Sequence, residues 1–138
     1  MSAALALQKA VRSRLTGTGS VTALVPASSI LDRNQRPSPD PSIVLGEVQL
    51  VDEGTDFARR HVRAFHTIHV WKREPSLEGA NAIMSAIQAA IHSARITLEA
   101  GYHCADCFVS SMRAMRDPDG ETSHGVVTVE ALIVEAGS

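Results

Sequence analysis

Apolar residues recur at helical spacing near the start of the chain. Leu7, Val11 and Leu15 are four residues apart, so they share one face of a helix. This pattern predicts a helix from Ser2 to Leu15, in which Ser2 caps the N-terminus. The polar side chains of this helix are predicted to lie in solvent, and they are Gln8, Lys9, Arg12 and Arg14.

A second, more apolar helix is predicted to follow Ser76, which is expected to supply its N-cap. Its apolar residues form one continuous stripe at helical spacing. They are Ala80, Ile83, Met84, Ile87, Ala90, Ile91 and Ala94. A stripe of this width is typical of a helix that packs on a sheet, so we expect the stripe to be buried.

Alternating apolar and polar positions predict three long strands, at Ser42 to Val51, His61 to Trp71 and about Tyr102 to Met115. Ile30 and Leu31 predict a brief extended piece before them. In the first strand, one face is predicted to carry Val44, Gly46, Val48 and Leu50. In the second strand, Ala64, His66, Ile68 and Val70 alternate with Phe65, Thr67, His69 and Trp71.

The chain closes on a predicted β-hairpin. The run Arg116-Asp117-Pro118-Asp119-Gly120 suits a type I turn, since proline presets φ at the second corner and glycine accepts a left-handed conformation at the fourth. Apolar and β-branched residues flank this turn on both sides. The second arm is therefore expected to begin near His124 and to run almost to the C-terminus.

The predicted order of elements is helix, strand, strand, helix, strand, strand, strand. Consecutive strands joined by short turns are antiparallel. We therefore predict an α+β fold, a mostly antiparallel sheet of about five strands with two main helices packed on one side. With 138 residues and 44% hydrophobic content, residues 1–138 are expected to form a single domain.

Charge and composition exclude several classes of protein. The chain has 15 acidic and 13 basic residues, a net charge of -2, whereas a general nucleic-acid binder usually has a basic excess. The first forty residues hold five of the basic and two of the acidic residues, so the remainder is net acidic. No apolar run approaches the roughly 18–20 residues that span a bilayer, and we expect no secretory signal.

A metal site is the most tempting chemistry in the sequence. Cys104 and Cys107 have the spacing of half a zinc site, and His61, His66, His69 and His103 are further candidate ligands. However, residues three apart in a strand point to opposite faces, and only a bulge would bring the two thiols together. We therefore expect two buried, reduced cysteines, no required metal and no cofactor.

The sequence also offers no catalytic set. It lacks a Gly-x-Ser-x-Gly motif, a glycine-rich phosphate loop and a His-Glu-x-x-His motif. Asp117 and Asp119 are explained by the turn, and His124 is expected to be exposed near it. His66 and His69 lie on opposite faces of their strand and are interpreted as structural or interfacial. The protein is predicted not to be an enzyme.

Two features are candidates for an assembly interface. The polar segment from Asp52 to Arg60 joins two strands that a tight turn could join, which is typical of a working loop. Trp71, the only tryptophan, is either a residue packed under the long helix or an interface anchor. The candidate interface residues are Glu53, Thr55, Asp56, Phe57, Arg59, Arg60 and Trp71.

These pieces, in this order, resemble a known family. The residues are the helix Ala6 to Arg12, the proline-rich connector, Ile43-Val44-Leu45-Gly46-Glu47, His69-Val70-Trp71, the Ala/Ile-rich helix, and Arg116 to Gly120 with His124-Gly125-Val126-Val127. Together they resemble the tail terminator, or tail-completion, proteins of long-tailed bacteriophages and of alphaproteobacterial gene transfer agents. The resemblance extends over nearly the whole chain, although the region of Cys104 and Cys107 and the loop from Thr55 to Arg60 match no part of it.

The resemblance implies a structural protein that forms a ring, typically a hexamer, at the head-proximal end of the tail tube. Such a ring stops tube growth and joins the tube to the head-completion or stopper protein. DNA would pass through the lumen only as cargo, and no membrane is involved. The implied location is the tail of a virion or gene transfer agent particle, assembled in the bacterial cytoplasm.

Two other classes of function remain open on the residues alone. One is a small α+β ligand-binding or regulatory domain, which would need an apolar pocket with convergent polar groups. The other is a metal-binding protein that uses the histidine and cysteine set.

Overall fold

The computed structural model describes residues 2–33, 39–54 and 59–135. Its helices are α1 (Ala3–Thr16), the one-turn α2 (Gly19–Thr22) and α3 (Glu78–His92). Its strands are β1 (Ile30–Leu31), β2 (Ser42–Asp52), β3 (His61–Arg73), β4 (Tyr102–Arg116) and β5 (Thr122–Glu135). No helix in these ranges is long and apolar enough to cross a membrane.

The five strands form one sheet in the order β1-β2-β3-β5-β4. All neighbouring strands are antiparallel except β1, which pairs with β2 in parallel. The predicted α+β class is therefore confirmed. The predicted order is wrong in one respect: two strands follow α3 instead of three, and the fifth strand is the short β1 at the sheet edge.

One face of the sheet, called here the inner face, is covered by α1 and α3. Leu7, Val11 and Leu15 of α1 are fully buried, as the spacing predicts. The stripe of α3 is buried from Ala80 to Ile91, whereas the predicted Ala94 lies beyond the helix and is exposed. The strands contribute Ile43, Leu45, Ala64, Ile68, Val70, Val127, Val129, Ala131 and Ile133 to this core.

A β-bulge in β2 changes the alternation that the sequence predicts. The register shifts between Leu45 and Val48, so that Val48 packs on the inner face after Leu45 instead of facing away from it. Glycine is needed at the bulge, since a Cβ at Gly46 would lie 2.8 Å from the carbonyl oxygen of Thr67. Beyond the bulge, Leu50 shares the face of Val48, as predicted, but is 41% exposed.

Both ends of α3 are held by residues that the sequence pattern does not single out. At its N-terminus, the Glu74 carboxylate accepts hydrogen bonds from the amides of Gly79 (2.9 Å) and Ala80 (3.1 Å). The expected cap, Ser76, accepts only from the Glu78 amide, and the N-cap position is Leu77. An acceptor outside the helix thus supplies most of the capping.

At the C-terminal end of α3, the Arg14 guanidinium donates to backbone carbonyls of the last turn and of the segment after it. The distances are 2.8 Å to Ala90, 3.0 Å to Ala94 and 3.0 Å to Arg95. The prediction that Arg14 lies in solvent is therefore wrong. A cation at the carbonyl end of a helix is favourable, and here it also ties α1 to α3.

The closing hairpin forms as predicted. The Gly120 amide donates to the Asp117 carbonyl at 3.0 Å, and Gly120 has a positive φ of 75°. The Asp119 carboxylate accepts from the amides of Glu121 and Thr122 and from the Thr122 hydroxyl. The Thr122 hydroxyl bond is the main reason that the pKa of Asp119 is lowered. Both aspartates thus serve the turn.

Candidate assembly surface

The face of the sheet opposite α1 and α3 is called here the outer face. On β3 and β5 it is formed by side chains that are half-exposed and lie outside the buried core. They are Phe65, Thr67, His69, Trp71, His124, Val126, Thr128, Glu130, Leu132 and Val134. A half-exposed sheet face with aromatic and aliphatic side chains is suited to contacts with another protein.

One end of the outer face carries an aromatic cluster of Trp71, His124 and His69. Trp71 and His124 are directly opposed in the register of β3 and β5, and their rings stack with centroids 3.8 Å apart and planes 6° apart. His69 Nδ1 lies 2.9 Å from His124 Nε2, within hydrogen-bonding distance. Because each neutral imidazole has one donor and one acceptor, the contact links the two tautomers: one ring donates and the other accepts.

Burial lowers the pKa of His124, and the charge of His69 lowers it further, while Asp117 opposes the shift. The neutral form of His124 is therefore favoured near neutral pH. The two imidazoles stacked with the indole give a flat patch with polar edges. Surfaces of this kind are enriched in the energetically dominant parts of protein interfaces.

The other end of the outer face carries a charged cluster. Arg63 donates from Nε to Glu53 (2.7 Å) and from Nη1 to Glu130 (2.8 Å), which joins β3, β5 and the residue after β2. These two carboxylates raise the pKa of Arg63. Close by in sequence, Arg59 pairs with Asp52 at 2.9 Å. At the base of the segment 52–60, Asp52 is therefore paired with Arg59, and Glu53 is paired with Arg63.

The predicted interface residues do not come together in one place. Glu53 and Arg59 lie in ion pairs at the loop end, and the Arg60 carbonyl accepts from the Glu135 amide at 2.8 Å. Thr55, Asp56 and Phe57 lie outside the described residues. Trp71 is ten residues along β3 from His61, which is about 33 Å away at the rise of a strand.

The structure adds residues that the sequence reasoning missed. His124 was expected to be exposed near the turn, yet it is half-buried in the stack on Trp71. Arg63 and Glu130 were not singled out at all. Because side chains alternate along a strand, the sequence of β3 already places His69 and Trp71 on one face. Only the register between β3 and β5, which pairs Trp71 with His124, shows that three rings meet there.

Cys104 and Cys107 contradict the prediction that they point to opposite faces. A bulge between Cys104 and Asp106 adds one residue to β4, so that the two cysteines pair with Ile133 and Ala131, both on the inner face. Both are free thiols. Within the described ranges, no group of three histidine, cysteine or acidic side chains is arranged to hold a metal.

The fold is similar to that of two solved structures. A chain in the virion of a native gene transfer agent particle superposes with a TM-score of 0.80 at 22% identity, covering 99% of this chain and 100% of that one. The gp17 protein of bacteriophage SPP1 superposes with a TM-score of 0.60 at 22% identity, covering 97% and 91%. No curated protein matches this chain in sequence.

The sequence of this chain also matches the model of a protein family. Residues 9–134, nearly the whole of the described chain, match the model of the tail completion protein gp17 family. That match includes the second half of α1, the helix α3, the strands β1 to β4 and all but the last residue of β5. The chain therefore belongs to the tail completion protein gp17 family.

Proposed function

We propose that this protein is a tail terminator, a non-enzymatic subunit of a closed ring, with six copies, at the head-proximal end of a tail tube. A structural role in a virion tail follows from the family. The observation that carries the finer proposal is the family match over residues 9–134, joined to a fold shared along 99% of the chain with a gene transfer agent virion chain.

The two different clusters on the outer face support a ring. A ring of identical subunits needs heterologous contacts, in which two different patches of each copy meet. The aromatic cluster at Trp71 and the charged cluster at Arg63 are two such patches, at opposite ends of one sheet face. The basic excess of the first forty residues and the acidic remainder also favour head-to-tail contacts.

The proposed partners are further copies of this chain, the tail tube protein and the head-completion or stopper protein. DNA passes through the ring as cargo. We propose that the segment 52–60 belongs to the surface that meets one of these proteins, with Arg59 and Arg60 exchanging their present contacts for acidic groups of a neighbour. The free protein is compatible with a monomer, because the tube end can template the ring.

The alternative ligand-binding function has less support in the geometry. It needs an enclosed apolar pocket with convergent polar groups. The two clefts described, of about 360 Å³ and 310 Å³, are open grooves beside residues 91–97.

Deletion of the gene tests the proposal directly. We expect heads and tails that fail to join, with tails abnormally long or ragged at the head-proximal end. Electron microscopy of the lysate measures both effects. Tails of normal length joined to filled heads in the deletion strain would end the proposal.

A matched pair of variants tests the aromatic cluster as an interface anchor. Trp71→Ala removes the stacked indole, and we expect loss of ring assembly and of infectious or transducing particles. Val126→Ala, a neighbouring position on the same face, should assemble normally. Both proteins should unfold cooperatively in denaturant, which separates a failure of assembly from a failure of folding.

Hydrogen exchange tests the segment 52–60. We expect the amides of Glu53, Gly54, Arg59 and Arg60 to exchange more slowly in intact particles than in the isolated protein, because an interface excludes water from them. Equal exchange in both states would mean that this segment takes no part in assembly.

A further inference from the structure

The feature that the tail role leaves unexplained is the pair of cysteines at the bulge of β4. The register runs Cys104 to Ile133, Asp106 to Leu132 and Cys107 to Ala131, so that three steps on β4 oppose two on β5. Ala105 is the extra residue. The bulge thus converts a spacing of three, which normally separates side chains, into two neighbouring thiols on one face.

The two thiols lie one step of the register apart on the inner face, near enough for each to shift the pKa of the other. The Cys104 thiol in turn donates to the Asp106 carbonyl at 3.2 Å. Cys104 is 2% exposed, whereas Cys107 is half-buried. The bulge thus leaves two thiols on one face, one shielded by the core and the other close to solvent.

Cys107 is reached through a groove. It lines the cleft of about 360 Å³ between β4 and the end of α3, together with His92, Arg95, Asp106 and Phe108. This volume admits a small molecule. A reagent in the cleft therefore meets Cys107 first, and Cys104 lies behind it.

The hydrogen bond that Cys107 donates to Cys104, together with burial, raises the pKa of Cys107. The same bond lowers the pKa of Cys104, and the positive charge of Arg95 acts in the same direction. The two thiols therefore share protons as a unit. Cys104 is therefore the thiol of the pair that ionises more readily, and reaction of the pair should accelerate as the pH rises, because attack needs a thiolate.

We propose that Cys104 and Cys107 are a dithiol modification site, at which a small-molecule disulfide oxidises the pair to a reversible intrachain disulfide. Cys107, the more exposed of the two, passes its proton to the Cys104 thiolate as its sulfur attacks one sulfur of the small disulfide, which forms a mixed disulfide and releases one small thiolate. The Cys104 thiolate then attacks the Cys107 sulfur and releases the second small thiolate. Two thiol protons leave to solvent or to these thiolates, and the oxidant takes up two electrons.

The backbone geometry allows the bond. Two paired positions along a strand are about 6.8 Å apart, which is within the Cα separation that a disulfide spans. Because Cys107 lines the open cleft, small thiols can reach the bridge and reduce it more readily than a buried structural disulfide. The disulfide would fix the bulge in β4, the edge strand of the sheet.

The biological setting of this chemistry rests on the proposed function. A particle assembled in a cell and then released passes from reducing to oxidising surroundings. The dithiol would then close after assembly and stiffen the exposed sheet edge. The chemistry itself is a property of the isolated chain and does not depend on the ring.

The test uses the full-length protein, 2-hydroxyethyl disulfide as the oxidant and mass spectrometry of the intact chain. We expect both thiols to be lost together, the mass to fall by two hydrogen atoms, no adduct to remain, and the rate to rise between neutral and mildly alkaline pH. Dithiothreitol should restore both thiols. A retained adduct in the wild-type protein, covalent dimers, or two unreacted thiols would each overturn the proposal.

Two single variants assign the order of attack. Cys104→Ser should retain one mixed disulfide on Cys107, because the resolving thiol is missing. Cys107→Ser should leave Cys104 at least tenfold slower to react than Cys107 in the other variant, since it is buried. Equal reactivity would overturn the assigned order. Neither variant should impair tail assembly in the cell. A negative result here would therefore overturn the dithiol proposal alone, and a negative result in the gene deletion would overturn the proposed function alone.

Discussion

The two faces of the sheet are built from the same strands, but one is buried under helices and the other is half-exposed. On β3 and β5, every second side chain is buried under α1 and α3, and the side chains between them are half-exposed. Alternation of this kind is common to both faces, so it does not by itself decide which one is covered. The apolar stripe of α3 decides it, because only the inner face offers a matching aliphatic surface. The outer face keeps its aromatic and charged clusters available for contacts.

Two histidines of β3 show how much the face matters. His66 faces inward and is fully buried, and neither of its ring nitrogens has a hydrogen-bond partner among the described residues. His69 faces outward, is half-buried and shares a hydrogen bond with His124. The same side chain is thus an uncharged filler of the core on one face and part of a polar, stacked patch on the other.

Truncation of the inner face should have the largest effect on stability. Ile87 is fully buried in the middle of α3, so Ile87→Ala should lower the free energy of unfolding by about 2–5 kcal/mol. Val126→Ala on the outer face should cost far less. Denaturant unfolding measures both. A loss below about 1 kcal/mol for Ile87→Ala would mean that the α3 stripe serves assembly instead of folding.

The buried histidine should make stability depend on pH. Burial lowers the pKa of His66 from 6.5 to about 4, with partial compensation from the charge of Glu47. As the pH falls through this window, the unfolded chain binds a proton that the folded chain does not, so the free energy of unfolding should fall by roughly 3 kcal/mol. This contribution is fully present above about pH 7 and is lost towards pH 4.

His66→Val removes the titrating ring. The free energy of unfolding should then depend less on pH between about pH 7 and pH 4. At neutral pH its stability should match that of the wild-type protein within about 1 kcal/mol, since it also removes two unpaired polar atoms from the core. His103→Gln, at an exposed position, is the control. An unchanged pH profile in His66→Val would show that another group is responsible.

The link between the two inner-face helices should have an intermediate effect. Arg14→Met keeps the aliphatic stem and removes the guanidinium that binds the carbonyls of Ala90, Ala94 and Arg95. We expect a loss of about 1–3 kcal/mol in thermal or denaturant unfolding. Arg12→Met, at an exposed position of the same helix, should change stability by less than about 0.5 kcal/mol. Equal effects would mean that the Arg14 bonds contribute nothing.

The ion pairs of the outer face should have the smallest effect on folding. Glu130→Gln breaks its ion pair with Arg63, whose side chain is 31% exposed, so the loss should be about 0.2–1 kcal/mol and should shrink with added salt. Glu121→Gln, at an exposed position, should be silent. A cost as large as that of Ile87→Ala would contradict the distinction between the faces.

Local patterns were enough to predict much of the fold. The period of α3, the alternation of β3 and the Asp117 to Gly120 turn each depend on residues close in sequence, and all three are confirmed. The grouping of His69 with Trp71 on one face also follows from the alternation of side chains along a strand. These features are predictable because the spacing of side chains within one element is fixed by backbone geometry.

By itself, the sequence thus determined the class of fold, the long helix and strands, and the family resemblance. Only the tertiary structure decided which face is covered, that Glu74 and Arg14 bind the two ends of α3, and that His124 stacks on Trp71. It also brought Cys104 and Cys107 together. These contacts join elements far apart in the chain or depend on a bulge. One inserted residue reverses the facing of every side chain beyond it, and no short-range spacing in the sequence encodes that shift.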